Sequence, residues 1–204
     1  MTEVVRLGHQ HPRDLFRQVA RLHSRSIHHG VLPQLGLSFL AEVYAAVAQS
    51  DHGIVLVVKE GEMILGFVAG TTRLKRLYLG ILLKRGWCLF AAIGTRFRQF
   101  SLWKKMWSVL SFPGRQTRPQ VKCIGGPELL AIAVAEDQRR TGLGSQLLQA
   151  FENELRERSA GRTYSVATNA AEVVSNRFYE KSGFHPIGKM AHHQLVLQLY
   201  LKEL

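Results

Sequence analysis

The spacing of apolar residues changes several times along the chain, and each change marks a new element. VVRL (Val4–Leu7) reads as a short strand. From Pro12 the apolar positions Leu15, Phe16, Val19, Leu22 and Ile27 recur at helical spacing until Pro33 and Gly36 break the pattern. A second helix follows from Leu37 to Gln49, with Phe39, Leu40, Val43, Tyr44 and Val47 on one face. After Asp51 and Gly53 come two β-rich runs, Ile54–Glu60 and Met63–Thr72, joined by a Gly-containing turn at Glu60–Glu62, which together predict a hairpin. ELLAIAVAE (Glu128–Glu136) is nearly continuous in its apolar character, as a central strand is. From Gly144 the spacing returns to three and four: Leu147, Leu148, Phe151 and Leu155 form a stripe opposite Glu152, Glu154, Arg156, Glu157 and Arg158. Thr163–Asn169 then predicts a strand, Ala171–Phe184 a short helix stopped at Gly183, and His192–Leu204 a final strand. The order βαα, ββ, insert, βα, βα, β implies an α/β fold on a mixed sheet.

Composition narrows the setting. With 204 residues, 46% of them apolar, the expectation is one domain spanning 1–204. The two cysteines, Cys88 and Cys123, stand in no ligand spacing, so neither a disulfide scaffold nor a metal site is expected. The N-terminus lacks the apolar stretch of a signal peptide, and no apolar run is long enough to span a bilayer. A cytoplasmic location follows as the expectation.

The net charge of +12 changes this picture, because it is local. Between Glu62 and Glu128 there is no acidic residue, while twelve Lys and Arg lie there, from Arg73 to Lys122. The remainder is balanced at fifteen of each sign. The same insert, 73–122, holds Trp87, Trp103 and Trp107, and its apolar series Ile93, Phe97, Phe100, Trp107 and Leu110 keeps mainly helical spacing. A basic, aromatic helical insert of this kind either folds back as a lid or rests on an anionic membrane surface, which would make the protein peripheral at the inner membrane.

The candidate chemistry lies in DQRRTGLGSQLL (Asp137–Leu148), which joins the central strand to a helix. Loss of side chains at Gly142 and Gly144 bares backbone N–H groups at a helix N-terminus, and Arg139 and Arg140 add full charges, so the loop is an anion site. It lacks the Lys-Ser/Thr of a P-loop, since Ser145 and Gln146 follow Gly144, and the third glycine of a dinucleotide loop, since that position is Leu147. A pyrophosphate of another carrier is the remaining guest.

VAEDQRRTGLG (Val134–Gly144) resembles the coenzyme A pyrophosphate motif of the GNAT acyltransferases, Arg/Gln-x-x-Gly-x-Gly/Ala, with Arg139, Gly142 and Gly144 in the fixed places. SNRFYEKSGF (Ser175–Phe184) is similar to the family's second signature, an Asn ahead of Phe-Tyr and then Gly-Phe. The resemblance implies a mostly antiparallel mixed sheet flanked by helices, with the insert between the third and fourth strands, and acetyl-coenzyme A as acyl donor. It implies that Ile132, Ala133 and Val134 hold the pantetheine by backbone pairing and that Arg139, Arg140, Thr141, Gly142, Leu143, Gly144 and Ser145 cradle the pyrophosphate. Asn176 would bond the cofactor arm, Tyr179 would protonate the leaving thiolate, and Glu128, opening the central strand, would serve as base through water. His28 and His29 fall between the first two helices, which line the acceptor side in this family; His192 and His193 are further acceptor-side candidates. Two glutamate and arginine substitutions, Glu136 for the usual Pro and Arg140 for a frequent Gly, remove no needed group.

The implied activity is N-acetyl transfer to a primary amine of a small acceptor. The basic insert, with a softer similarity of HHGVLPQLGLSFLAEVY to bacterial members associated with cell-surface polysaccharide, tilts the acceptor toward an acidic amino sugar. Two alternatives stay open: a long-chain or membrane-associated acyltransferase acting on a lipid-linked acceptor, and a non-enzymatic basic protein that binds membrane or nucleic acid on the same scaffold. Retention of the cofactor residues weighs against nucleic acid as partner. A homodimer is among the expected assemblies.

Overall fold

The computed structural model describes residues 2–27, 35–81, 83, 126–192 and 195–204. Among these, seven strands form one sheet in the order β1-β2-β3-β4-β5-β7-β6. They are β1 (Glu3–Arg6), β2 (Gly53–Glu60), β3 (Met63–Thr71), β4 (Glu128–Val134), β5 (Thr163–Asn169), β6 (His185–His192) and β7 (Leu195–Glu203). All neighbouring pairs run antiparallel except β4 and β5, which are parallel. This is the mixed, mostly antiparallel sheet that the resemblance implies.

Helices cover the sheet on both sides. On one face α1 (Arg13–Ser26) and α2 (Leu37–Ala48) bury Phe16, Val19, Leu40 and Tyr44 against Val55, Val57, Phe67 and Ala69. On the other, α3 (Leu143–Glu157) buries Leu147, Leu148, Phe151 and Leu155 against Ile54, Leu56, Val68 and Leu129. These are the residues whose spacing predicts the two helix faces, and each fully buried apolar side chain contributes about 1.5–3 kcal/mol relative to exposure. The α4 helix (Val173–Lys181) adds Tyr179 to the second layer.

The expected single final strand is a correction. The chain after Gly183 forms two antiparallel strands, β6 and β7, in place of one from His192. HPIGKMAH has only one β-branched residue, Ile187, and Pro186 and Gly188 on either side of it read as breakers. The sheet accepts them because β6 is an edge strand: its register shifts between Pro186 and Gly188, and Gly188 takes φ 153° there.

Of the insert 73–122, the described part is residues 73–81 and 83, helical over 74–81, with Leu74 and Leu77 buried; its three tryptophans lie outside the described residues. Among the described residues no helix is long and apolar enough to cross a membrane.

Candidate active site

The parallel pair in the sheet is short. β4 and β5 pair only at Glu128↔Ser165 and Leu129↔Val166, after which they part. The cause is visible on the other edge of β4, where the β3 register shifts between Ala69 and Gly70, so that Leu130 is the extra residue of a bulge. Beyond it, Ala131, Ile132, Ala133 and Val134 pair with Ala69, Val68, Phe67 and Gly66 of β3, while β5 turns to β7. One backbone edge of Ile132–Val134 therefore faces a wedge between two strands, a place where an extended amide chain can add as a pseudo-strand. Ala131 and Ala133 join the α1–α2 core and Ile132 and Val134 the α3 core, so the side chains hold the strand in place while the backbone is offered to the wedge.

The wedge leads to the glycine loop. After β4 a short 3-10 turn (Glu136–Gln138) precedes Arg139, Arg140 at φ 67° and Gly142 at φ 92°, and Leu143 opens α3. No side chain caps that helix, and the first bond of its ladder that crosses the cap is Gln146 N–H to the Gly142 carbonyl at 3.0 Å. The N–H groups of Leu143, Gly144 and Ser145 are those that a helix leaves without internal partners, and they carry the positive end of its dipole. Arg139, Arg140, Thr141, Gly142 and Ser145 are exposed around them. The Thr141 hydroxyl donates to the Gln138 carbonyl at 2.7 Å and so shapes the loop. The two glycines serve different ends. Gly142 is needed for its left-handed backbone, since a Cβ there would meet nothing within 4 Å. Gly144 is needed for contact, since a Cβ would come within 3.3 Å of the Phe178 ring, which lies against the first turn of α3.

That contact ties the second signature to the first. Tyr179, next along α4, is buried with its ring 5.5 Å from Phe178, 5.3 Å from Phe184 and 5.9 Å from Tyr200. Burial pushes its hydroxyl above the ordinary tyrosine range, so it holds its proton at neutral pH. Asn176 is occupied at both ends: Nδ2 donates toward the carbonyls of Glu172 at 2.8 Å, Asn169 at 3.1 Å and Ala170 at 3.3 Å, and Oδ1 accepts from Tyr200 at 3.0 Å. Its amide straps the β5–α4 loop. Tyr200, which the sequence marks only as part of a strand, also lies 3.0 Å from Glu180 Oε1 and completes this strap.

Glu128 lies at the closed end of the wedge, paired with Thr71 and Ser165. Since Leu129 points to the α3 core, strand alternation turns Glu128 to the α1–α2 face. Burial pushes its carboxyl up to about 7, the range in which a carboxylate can take a proton from a substrate near neutral pH. Burial, and after it the Glu128 charge, push the hydroxyl of Tyr78, on the helical stretch 74–81, up to about 12. Tyr78 was not among the sequence candidates; its signal was its place one turn after the buried Leu74 and beside the buried Leu77. His28, His29 and His193 lie outside the described residues, as does the side chain of His192, at the end of β6. Among the described residues no cluster of His, Cys, Asp and Glu has the makings of a metal site.

Residues 118–184, which contain both signatures, match the family model described as Acetyltransferase (GNAT) family. No curated protein matches the chain in sequence. Among solved structures, the ribosomal-protein-S18-alanine N-acetyltransferase from Escherichia coli is similar at a TM-score of 0.59 and 12% identity, over 100% of this chain and 94% of that one. An aminoglycoside 6'-acetyltransferase type Ii gives 0.60 at 15% identity, over 98% and 96%. An N-acetyltransferase from Staphylococcus aureus Mu50 gives 0.59 at 15% identity, over 100% and 98%. At such identities the likeness is one of fold, and it extends over nearly the whole of each chain. The match to the GNAT family model thus covers the segment with both cofactor signatures, and the sheet, wedge and glycine loop around it have the fold of these solved acetyltransferases.

Proposed function

We propose that this protein is an N-acetyltransferase that moves the acetyl group of acetyl-coenzyme A directly to a primary amine of a small acceptor. The observation that carries the reading is the continuous donor track: an open β4 edge at Ile132–Val134 that runs to the bare N-terminus of α3 beside Arg139 and Arg140. These residues fit the donor, since the edge matches its amide chain and the loop its pyrophosphate. When bound, acetyl-coenzyme A supplies the activated thioester carbonyl. Arg139 to Ser145 hold the phosphates, Thr141 and Asn176 acting by fixing the loops and not by contact. Glu128 takes the proton that the attacking amine must lose, directly or through a water, and its elevated proton affinity lets it do so near pH 7. Tyr179 gives a proton to the departing sulfur, and its raised affinity keeps that proton available until a thiolate forms. Each such positioned acid or base contributes roughly 10² to 10⁴ in rate, and holding both reactants together supplies most of the rest.

For the acceptor, the uninterrupted positive charge of 73–122 supports a molecule that carries negative charge, with an amino sugar first among the classes. The aromatic positions interleaved with that charge favour, as a second reading, a lipid-linked acceptor met at the inner membrane surface by a cytoplasmic enzyme. The experiment is thiol release from acetyl-coenzyme A over a panel of amines, with and without anionic liposomes, and with acetyl replaced by longer acyl groups. Release with a soluble acidic amino sugar supports the first reading, and release that requires liposomes supports the second. No release with any amine or thioester, together with no coenzyme A binding, would overturn both.

A further inference from the structure

A cavity of about 490 Å³ opens where the α2–β2 turn meets the helical stretch that follows β3, a size within the roughly 300–1,000 Å³ of small-molecule sites. Its polar wall is held by hydrogen bonds. The His52 carbonyl accepts from the Thr71 hydroxyl at 2.7 Å and the Thr72 N–H at 2.9 Å, and the His52 N–H donates to Ser50 Oγ at 3.3 Å. Its ring Nδ1 lies 3.3 Å from the Thr72 hydroxyl oxygen, which leaves Nε2 for the cavity. His9 lines the same space from the β1–α1 turn, which is closed by the Gly8 N–H on His11 Nδ1 at 3.0 Å. The stretch 74–81 supplies the rest: Leu74 and Leu77 are buried on its inner side, while Arg76, Leu79 and Leu83, at helical spacing, line the cavity. Leu79 and Leu83 are 58% and 76% exposed, so the cavity has an apolar rim.

Charge decides what such a cavity takes. No acidic residue occurs between Glu62 and Glu128, and among the described residues Arg76 makes no ion pair. Asp51 is the one carboxylate among the lining residues, and Arg158, which does not line the cavity, is drawn to its position, with Nη1 donating to the Asp51 carbonyl at 3.2 Å. An unpaired guanidinium, two imidazoles and a leucine rim complement an oxyanion carried on an apolar body. We propose that this cavity binds a small organic anion, a carboxylate or phosphate monoester with an apolar body, at a site separate from the donor track. Arg76 holds the oxyanion in a charge-assisted pair. His52 adds a bond from Nε2–H, with Nδ1 accepting from the Thr72 hydroxyl, and His9 adds another. The apolar body lies on Leu79, Leu83 and Ala46. The bound anion bridges the helical stretch that opens the insert 73–122 and the α2–β2 turn.

Hexanoate and hexyl phosphate serve as probes, titrated into the nitrogen-15-labelled full chain with coenzyme A present to fill the glycine loop. The amide signals of Ser50, Asp51 and His52 report the cavity directly, so the result does not depend on the donor reading. Both anions are expected to shift these signals to saturation, with hexanol and hexylammonium binding at least about tenfold more weakly. Arg76→Gln should weaken both anions roughly tenfold. Lys75→Gln removes the adjacent exposed cation, which does not line the cavity, and should change neither by more than about twofold. Tighter binding of one anion supports the site and identifies its ligand as a carboxylate or as a phosphate ester. Shifts that fail to saturate, hexanol binding as tight as hexanoate, or an equal loss in Lys75→Gln and Arg76→Gln would overturn the proposal.

Discussion

The two faces of the sheet are packed by the same rules and do different chemical work. On the α3–α4 face the site is made of backbone: an open strand edge, three unpartnered helix amides and a left-handed glycine. On the α1–α2 face the proposed base is a single side chain, Glu128, set by strand alternation. The buried polar groups under the two faces differ in the same sense. Beneath α3, Glu152 is buried and accepts from Tyr164 and Lys202 at 2.6 Å each, a compact cluster that joins α3, β5 and β7. Between α1 and α2, His23 and Tyr44 share a hydrogen bond over the Phe67 ring, and burial keeps that histidine neutral. Donor recognition by backbone needs particular residues only where the backbone itself demands them, so it leaves a compact motif. Acceptor recognition by side chains leaves scattered residues that no local pattern gathers.

Substitutions on either face can break or sharpen this contrast, and the largest effect is expected at the sulfur. Tyr179→Phe removes the proposed proton donor while keeping the ring contacts, so turnover should fall roughly 10² to 10⁴-fold, with donor affinity nearly intact. Equal losses in turnover and in coenzyme A binding would instead mark the tyrosine as a packing residue.

On the α1–α2 face the expected effect is one of pH. The folded-state value for His23 is lowered to about 4 from 6.5. In between, the unfolded chain binds the proton and the folded one does not, so stability is full above pH 6.5 and is lost as the pH falls toward 4, by up to about 3 kcal/mol. Chemical denaturation at pH 7 and pH 5 should show this slope, and His23→Gln should flatten it; a slope of the same size in the variant would place the titration elsewhere.

Arg139→Ala removes one proposed charged partner of the pyrophosphate, worth about 1.5–3 kcal/mol. The KM for acetyl-coenzyme A should rise roughly tenfold or more and lose part of its salt dependence, with turnover at saturation unchanged. If turnover fell and KM held, the arginine would be acting on the transition state and not on the phosphates. The smallest effect is expected at Tyr200→Phe, which takes one hydrogen bond from the Asn176 strap and should cost about 1 kcal/mol in thermal unfolding with thiol release unaffected. A loss of activity larger than the loss of stability would return Asn176 to the cofactor arm.

Several elements were legible along the chain because their cause is local. The helical stripe of Leu147, Leu148, Phe151 and Leu155, the hairpin turn at Gly61 with its φ of 57°, and the Gly142 turn each depend on residues within a few positions. β6 was not legible, because its strand state comes from pairing with β7 and not from its own residues. The strap role of Asn176 was equally hidden, since the signature that contains it is silent about the carbonyls it bonds and about Tyr200, which is 24 residues away in sequence.

From the sequence alone came the family resemblance, the donor loop and the two helix faces, since a glycine's backbone freedom and an amphipathic period act over one or two turns. The tertiary structure decided where β4 and β5 part and that Glu128 stands where burial raises its carboxyl to about 7. Bulges and desolvation depend on what comes near in space, and the residues concerned, Gly70, Thr71, Glu128 and Ser165, are brought together only when the sheet is assembled.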